Sequence, residues 1–171
     1  MKINHQRKLL ELTLDKYRHE LDLIPDEMFD VTPPKGGWSL AELYSHILQA
    51  DYMSLIAVEK CAHKTCEHTR KGLNLIGYYV FLTGKFPPVK TKAPASIIAK
   101  KITKEEARNF IIKVRSKLDE LSAVLNAAPA DYKVKHPNLG MLNAGQWIKF
   151  IRIHTAHHLK QLQNIKSQLG L

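Results

Sequence analysis

At 171 residues, of which 44% are hydrophobic and 25% charged, the chain has the size and composition of one globular domain. These values exclude a disordered or fibrous protein, and a chain of this size needs neither a disulfide nor a structural metal to stay folded. The formal net charge of +10 makes nucleic acid a partner to consider. We expect a single domain over residues 1–171.

The basic residues are dispersed along the chain rather than gathered in a nucleic-acid-binding motif. A solvated basic surface is therefore favoured, and a basic non-catalytic bundle that binds nucleic acid stays the alternative. The sequence has no apolar run long enough for a signal peptide or a membrane span, which predicts a cytoplasmic protein without a membrane partner. Cys61 and Cys66 are expected to be reduced thiols.

The first predicted helix covers about residues 4–24, where apolar residues recur on one broad face. Pro25 ends this helix, because proline cannot continue the hydrogen-bond ladder. The prolines and glycines of residues 26–37 then predict a loop.

A second helix is predicted to begin at the capping-box pattern of Ser39 and Glu42. His46 lies within its apolar stripe, so we expect this histidine to point inward. The stripe consists of Leu40, Leu43, Ile47, Ala50, Met53 and Ala57.

Residues 63–102 predict a long crossover, in which the apolar aromatic run from Leu73 to Leu82 indicates a short buried helix. Thr103 and Glu106 form a second capping box. The apolar spacing that follows predicts a third long helix to about residue 128.

The last part of the chain predicts a loop over residues 130–142 and a final helix that runs to about residue 169. Asn143 and Gln146 give this helix a weaker cap of the same kind. Four long helices with one long crossover between the second and the third predict an all-α four-helix bundle.

The final helix carries His154 and His158 one turn apart on the same face, a spacing that presents two imidazoles to one metal ion. His157 is turned about 60° from His154, so we expect it at the edge of this face or in solvent. Imidazoles in a core have polar nitrogens that need partners, and convergence on a metal supplies one. The sequence therefore predicts a metal site formed by His46, His154 and His158, the alternative being three hydrogen-bonded core histidines.

A second group of possible zinc ligands lies where the predicted crossover begins. Its four members fall within eight residues, which leaves no room for the two separated half-sites of ordinary structural zinc motifs. A zinc site is therefore disfavoured for this group, which consists of Cys61, His63, Cys66 and His68.

Two segments resemble the DinB superfamily of metal-binding four-helix bundles. The run from Trp38 to His46 is similar to the family segment that opens the second helix and supplies its first metal histidine. His154 and His158, followed by Gln161, are similar to the family's closing His-x-x-x-His-x-x-Gln pattern. The segment from residue 136 to 147 is similar to a subgroup of uncharacterised DinB-like proteins, and the resemblance covers nearly the whole chain in order.

This resemblance implies an up-down-down-up bundle, often dimeric, with one divalent ion, zinc or nickel, held by three histidines. It also implies a small-molecule substrate and an enzyme that transfers a low-molecular-weight thiol, which would be the cofactor, to an electrophile. Metal-dependent hydrolysis of the YfiT type is the alternative. In both reactions the ion lowers the pKa of a bound thiol or water toward neutral pH.

Catalytic roles for other residues are weaker hypotheses. Gln161 lies one turn beyond His158 and is a candidate for orienting a ligand or substrate. Glu42 is a candidate base, although its capping role already explains it. His157 and His136 are candidates for proton transfer, with rim and loop histidines as the simpler interpretation.

Overall fold

The computed structural model describes residues 3–87 and 97–171, and its helices form a four-helix bundle with one short additional helix. Pro88 and Pro94 of the expected crossover lie outside the described residues. A single turn of 3-10 helix over Asp26–Met28 follows the first long helix. The helices in chain order are α1 (Ile3–Leu23), α2 (Leu40–Ala62), α3 (Leu75–Thr83), α4 (Lys104–Leu125) and α5 (Ala144–Leu169).

The three predicted helix starts are confirmed. Ser39, Thr103 and Asn143 each accept a hydrogen bond from the backbone N–H three residues later, and the side chain at that third position bonds back. Each arrangement satisfies two N–H groups that the first turn of a helix leaves unpaired. Helix α4 ends at Leu125, three residues earlier than expected.

Each of α1 and α2 packs mainly against α4 and α5, and two buried tyrosines join three of these helices. The Tyr44 hydroxyl donates to the Tyr17 carbonyl at 2.8 Å, and the Tyr17 hydroxyl donates to the Thr155 carbonyl at 2.8 Å. Their rings meet edge to face, with centroids 5.6 Å apart. Because these bonds are directional, they hold α1, α2 and α5 in one relative register.

The loop expected over residues 130–142 is wrong, because most of this segment is a β-hairpin. Strands β1 (Glu67–His68), β2 (Tyr132–His136) and β3 (Gly140–Leu142) form an antiparallel sheet in that order. The strands are only two to five residues long, and β1 pairs with β2 across more than sixty residues of chain, so local periodicity does not reveal them.

Helix α3 lies on the surface, which corrects the expectation that it would be buried. Gly77 and Val80 face the core, whereas Leu75 and Leu82 are 87% and 89% exposed. Met53 of the predicted α2 stripe is also exposed. Its neighbours Asp51, Ser54 and Leu55 are buried instead, so the buried face of α2 points away from Met53. Within residues 3–87 and 97–171, no helix is both long and apolar enough to cross a bilayer.

Two glycines fasten α3 to the hairpin. A Cβ at Gly77 would lie 2.4 Å from the Leu139 carbonyl, and a Cβ at Gly140 would lie 2.6 Å from the Gly72 carbonyl. Backbone hydrogen bonds run through the same contact, from Asn74 N–H to Leu139 and from Met141 N–H to Gly72. Gly140 has a positive φ of 94°, a second reason for glycine there.

We predict that Gly140→Ala lowers the free energy of unfolding by about 3 kcal/mol or more, because it adds a backbone clash to left-handed strain. Gly84→Ala is the matched control: Gly84 also has a positive φ, of 66°, but open space around it. The control should lose only about 1 kcal/mol. Urea unfolding measures both variants, and equal losses would contradict the close approach.

Candidate metal centre

The three histidines predicted to converge are buried together between α2 and α5. His46 is 5% exposed, and His154 and His158 are each 8% exposed. The Nε2 atoms of His154 and His158 lie 3.1 Å apart. The His46 ring centroid is 5.4 Å from that of His154 and 4.9 Å from that of His158. One ring nitrogen from each residue lies within 4.8 Å of the other two, so the cluster can hold a single ion.

Burial keeps these imidazoles neutral. It lowers the pKa of His46 and of His154 to about 4, with a smaller contribution from the His154 ring at His46. Burial, followed by the neighbouring histidines, lowers the pKa of His158 to about 2. A neutral imidazole has one ring nitrogen with a free lone pair, which is the form that binds a metal.

The residues present fit a divalent ion. The Nδ1 atoms of His46 and His154 are buried and have no hydrogen-bond partner among the described residues. Unpaired buried polar atoms are destabilising, and a cation among the rings would be a partner for the one ring nitrogen that each histidine turns toward the cluster. Zinc and nickel both accept imidazole ligands. That these residues bind a metal stays a prediction.

Asp51 is a member of this site that the sequence analysis missed. Its side chain is fully buried on α2, and its Oδ1 lies 3.6 Å from His154 Nδ1. The Thr155 hydroxyl donates to its other oxygen at 3.4 Å. Burial raises the pKa of Asp51 well above its usual range, and the Thr155 hydrogen bond opposes that shift. The available signal was its helical spacing, three and four residues from the buried Leu48 and Ile47.

Gln161 contacts a histidine of the cluster. Its Oε1 lies 2.8 Å from His158 Nδ1, where it can accept the ring N–H and leave Nε2 with the lone pair. His154 has Asp51 in the corresponding position. Both α5 histidines therefore have an oxygen behind the nitrogen that faces away from the cluster, an arrangement common behind metal-bound histidines.

The remaining candidates have other surroundings. The Glu42 carboxylate accepts from the Ser39 N–H and hydroxyl, both at 2.9 Å, so its contacts are those of the helix cap. His157 is exposed, with its ring 5.1 Å from those of His158 and Phe86. This position is the edge that helical geometry predicted.

His136 is buried, which corrects the interpretation of this residue as a loop or rim histidine. It ends β2 and packs against α5, with its ring centroid 4.5 Å from that of Phe150 and 5.3 Å from that of Trp147. Its Nδ1 accepts the Asn138 N–H at 3.1 Å. Burial lowers its pKa to about 4, with a further contribution from His154.

The cysteine and histidine group of the crossover does not converge on one point. His68 Nε2 instead lies 2.6 Å from Asp131 Oδ2 on the surface. Among the described residues, the metal-capable cluster is that of His46, His154 and His158.

Aromatic rings flank the histidine cluster on two sides. The Trp38 ring lies 4.7 Å from that of His46, and the Phe86 ring lies 6.3 Å from that of His154. Both aromatic side chains are half-buried. Water therefore has restricted access to the histidines, and a ligand that reaches them meets apolar surface.

This fold and site define a four-helix bundle with a buried three-histidine cluster. The family model of the DinB superfamily matches residues 9–162, which is most of the chain. The protein belongs to the DinB superfamily, as its motifs indicated.

The chain is also similar in sequence or in fold to known proteins. The chain is 25% identical over 169 residues to the uncharacterised protein YuaE of Bacillus subtilis, covering 88% of this chain and 91% of YuaE. The crystal structure of TT2238, a four-helix bundle protein, has a TM-score of 0.64 at 18% identity, covering 95% of this chain and 99% of that one.

Another solved structure is YfiT from Bacillus subtilis, described as a probable metal-dependent hydrolase with an unusual four-helix bundle topology. It has a TM-score of 0.62 at 13% identity and covers 98% of this chain and 87% of its own. At these identities the two structures show a shared fold.

We predict that tag-free protein purified with zinc or nickel retains about one ion per chain, because three neutral nitrogens converge. His46→Ala, His154→Ala and His158→Ala should each lose that ion on dialysis. His157→Ala is the matched control, since it removes an exposed imidazole from the same helix and should retain the ion. Elemental analysis measures the metal content of each variant. Full metal content in the His46, His154 and His158 variants would contradict the proposed site.

Proposed function

We propose that this protein is a divalent-metal-dependent enzyme that transfers a low-molecular-weight thiol to an electrophilic small molecule. The observation that carries the proposal is the buried convergence of three neutral imidazoles from two helices. When bound there, a divalent ion supplies Lewis acidity that lowers the pKa of a thiol or water ligand. The chain's own residues must then hold the ligands, exclude water and admit the substrate.

The three histidines would hold the ion, and two neighbouring side chains, Asp51 and Gln161, orient the histidine rings. All three imidazoles are neutral, so the ligand set adds no negative charge and leaves the site attractive to an anionic nucleophile such as a thiolate. Gln161 Oε1 is placed to accept the outward N–H of His158, and Asp51 Oδ1 lies 3.6 Å from the outward Nδ1 of His154, so both oxygens favour ring forms whose lone pairs point inward. We assign Asp51 and Gln161 positioning roles.

The aromatic flanks favour thiol transfer. Trp38 and Phe86 lie on two sides of the cluster and present apolar surface to an incoming ligand. A thiolate is more weakly hydrated than hydroxide and loses less on entering such surroundings. Phe150 stacks on His154 at 5.5 Å with an interplanar angle of 27° and closes the site from the α5 side.

Hydrolysis is the second candidate, because YfiT, which shares the fold, is described as a probable metal-dependent hydrolase. The same three imidazoles would hold the ion, and water would replace the thiol as the nucleophile. The homodimer and the cytoplasmic location expected from the sequence stay predictions.

We predict that Asp51→Asn weakens metal affinity about 10- to 100-fold. The reason is that the side chain behind His154 then carries an NH2 donor in place of one of its two carboxyl oxygens. The same change should leave the metal-free protein equally stable or more stable, since it removes a carboxyl group that burial disfavours. Competition with a chromogenic chelator measures the affinity, and urea unfolding measures the stability.

The control for that variant is Asp22→Asn, which changes a surface carboxylate paired with Arg108. It should leave metal affinity unchanged. Unaltered affinity in Asp51→Asn would show that Asp51 is a packing residue without a role toward the site.

We predict that the metal-loaded protein conjugates cysteine, glutathione or coenzyme A to 1-chloro-2,4-dinitrobenzene, with a rate that requires both thiol and metal. His154→Ala should fall to the rate of the metal-free protein, whereas His157→Ala should keep activity. Turnover of 4-nitrophenyl acetate without thiol would favour hydrolysis instead. If the fully loaded protein catalysed neither reaction, both candidates would be contradicted. Salt-sensitive DNA binding without metal retention would favour the nucleic-acid alternative.

A further inference from the structure

The two cysteines meet at the end of α2, far along the helix from the histidine cluster. Thr65 N–H donates to the Lys60 carbonyl at 2.9 Å, and Lys64 has a left-handed φ of 59°, so the chain turns back on the helix. This turn places Cys66 Sγ 3.8 Å from Cys61 Sγ. Both residues are free thiols.

The two thiols have different surroundings. Cys61 is fully buried, and its Sγ lies 3.7 Å from the Leu142 carbonyl of β3. Cys66 is only half-buried at the edge of the core. A reagent in solution therefore reaches Cys66 first. Burial, with a contribution from Cys66, raises the pKa of Cys61, which keeps this thiol protonated near neutral pH.

We propose that Cys61 and Cys66 form a reversible redox pair that is oxidised to an intramolecular disulfide by low-molecular-weight disulfides. The Cys66 thiolate attacks one sulfur of the external disulfide, forms a mixed disulfide and releases one small thiol. Cys61 then attacks the Cys66 sulfur, and its proton goes to the departing sulfur, which leaves as the second small thiol. The protein loses two electrons and two protons, and the external disulfide is reduced to two thiols.

The geometry needs little change for this step. A disulfide bond is about 2.05 Å long, so the two sulfur atoms must approach by about 2 Å. The bond would tie the last turn of α2 to the residue directly before β1. Closing so small a loop gains less stability than closing a long one, which favours a reversible disulfide over a structural one.

This pair is separate from the proposed metal centre. His46 and Cys61 are fifteen residues apart on α2, a rise of about 22 Å. His63 and His68 do not converge with the two thiols, so the group is a dithiol and not a zinc site. The redox proposal therefore stands or falls independently of the proposed enzyme.

The test is to incubate the full chain with excess oxidised glutathione and to follow intact mass and free thiols. We expect the loss of both thiols and of two hydrogen atoms per chain, with no glutathione retained, and full reversal by dithiothreitol. A chain that keeps both thiols, stops at the mixed disulfide or links to a second chain would overturn the proposal. Metal content should be the same before and after oxidation.

Two variants test the order of the steps. Cys61→Ala, which preserves an apolar side chain in the core, should stop at a glutathione adduct on Cys66. In Cys66→Ser, the remaining buried thiol should react about tenfold or more slowly with Ellman's reagent than Cys66 does in Cys61→Ala. Equal rates in the two variants would contradict the assigned order.

Discussion

The burial of three imidazoles between α2 and α5 is the constraint on which the chemistry of the site depends. A buried imidazole loses the hydration that would stabilise its charged form, which is why the histidine pKa values fall and the rings stay neutral. Each neutral ring still has two polar nitrogens, and the bundle provides partners for only some of them. Their placement is set by contacts outside the cluster: the tyrosine hydrogen bonds hold α1, α2 and α5 in register, so that rings from distant parts of the chain reach one point.

The β-hairpin extends this organisation to the side of α5. His136 at the end of β2 packs on Trp147 and Phe150, and Phe150 stacks in turn on His154. The close approach at Gly140 holds the hairpin to the residues directly before α3, and no larger side chain fits there without displacement. The hairpin thus packs against Trp147 and Phe150, and Phe150 packs against the metal-capable cluster. The hairpin therefore helps to keep water away from the site.

The helices were predictable because their signals are local. Capping boxes and apolar periodicity act within a few residues, and the three proposed caps all formed. The positions of His46, His154 and His158 followed from the same periodicity. The hairpin was not predictable in this way, since β2 and β3 are short and β2 pairs with residues more than sixty positions earlier. The exposure of α3 was missed for a related reason: an apolar run indicates a helix but not which of its sides the rest of the chain will cover.

Asp51 shows where the local pattern and the chemistry disagree. An acidic residue on an apolar stripe is usually assigned to solvent, because an isolated buried carboxyl group is expensive. Here it lies at the centre of the buried face of α2, behind His154, and one of its carboxyl oxygens and two imidazole nitrogens have no hydrogen-bond partner among the described residues. Well-packed apolar residues in these places would make a more stable bundle. The chain instead retains polar groups that a cation bound by the three histidines would help to satisfy, so binding of an ion at this site would also add to stability.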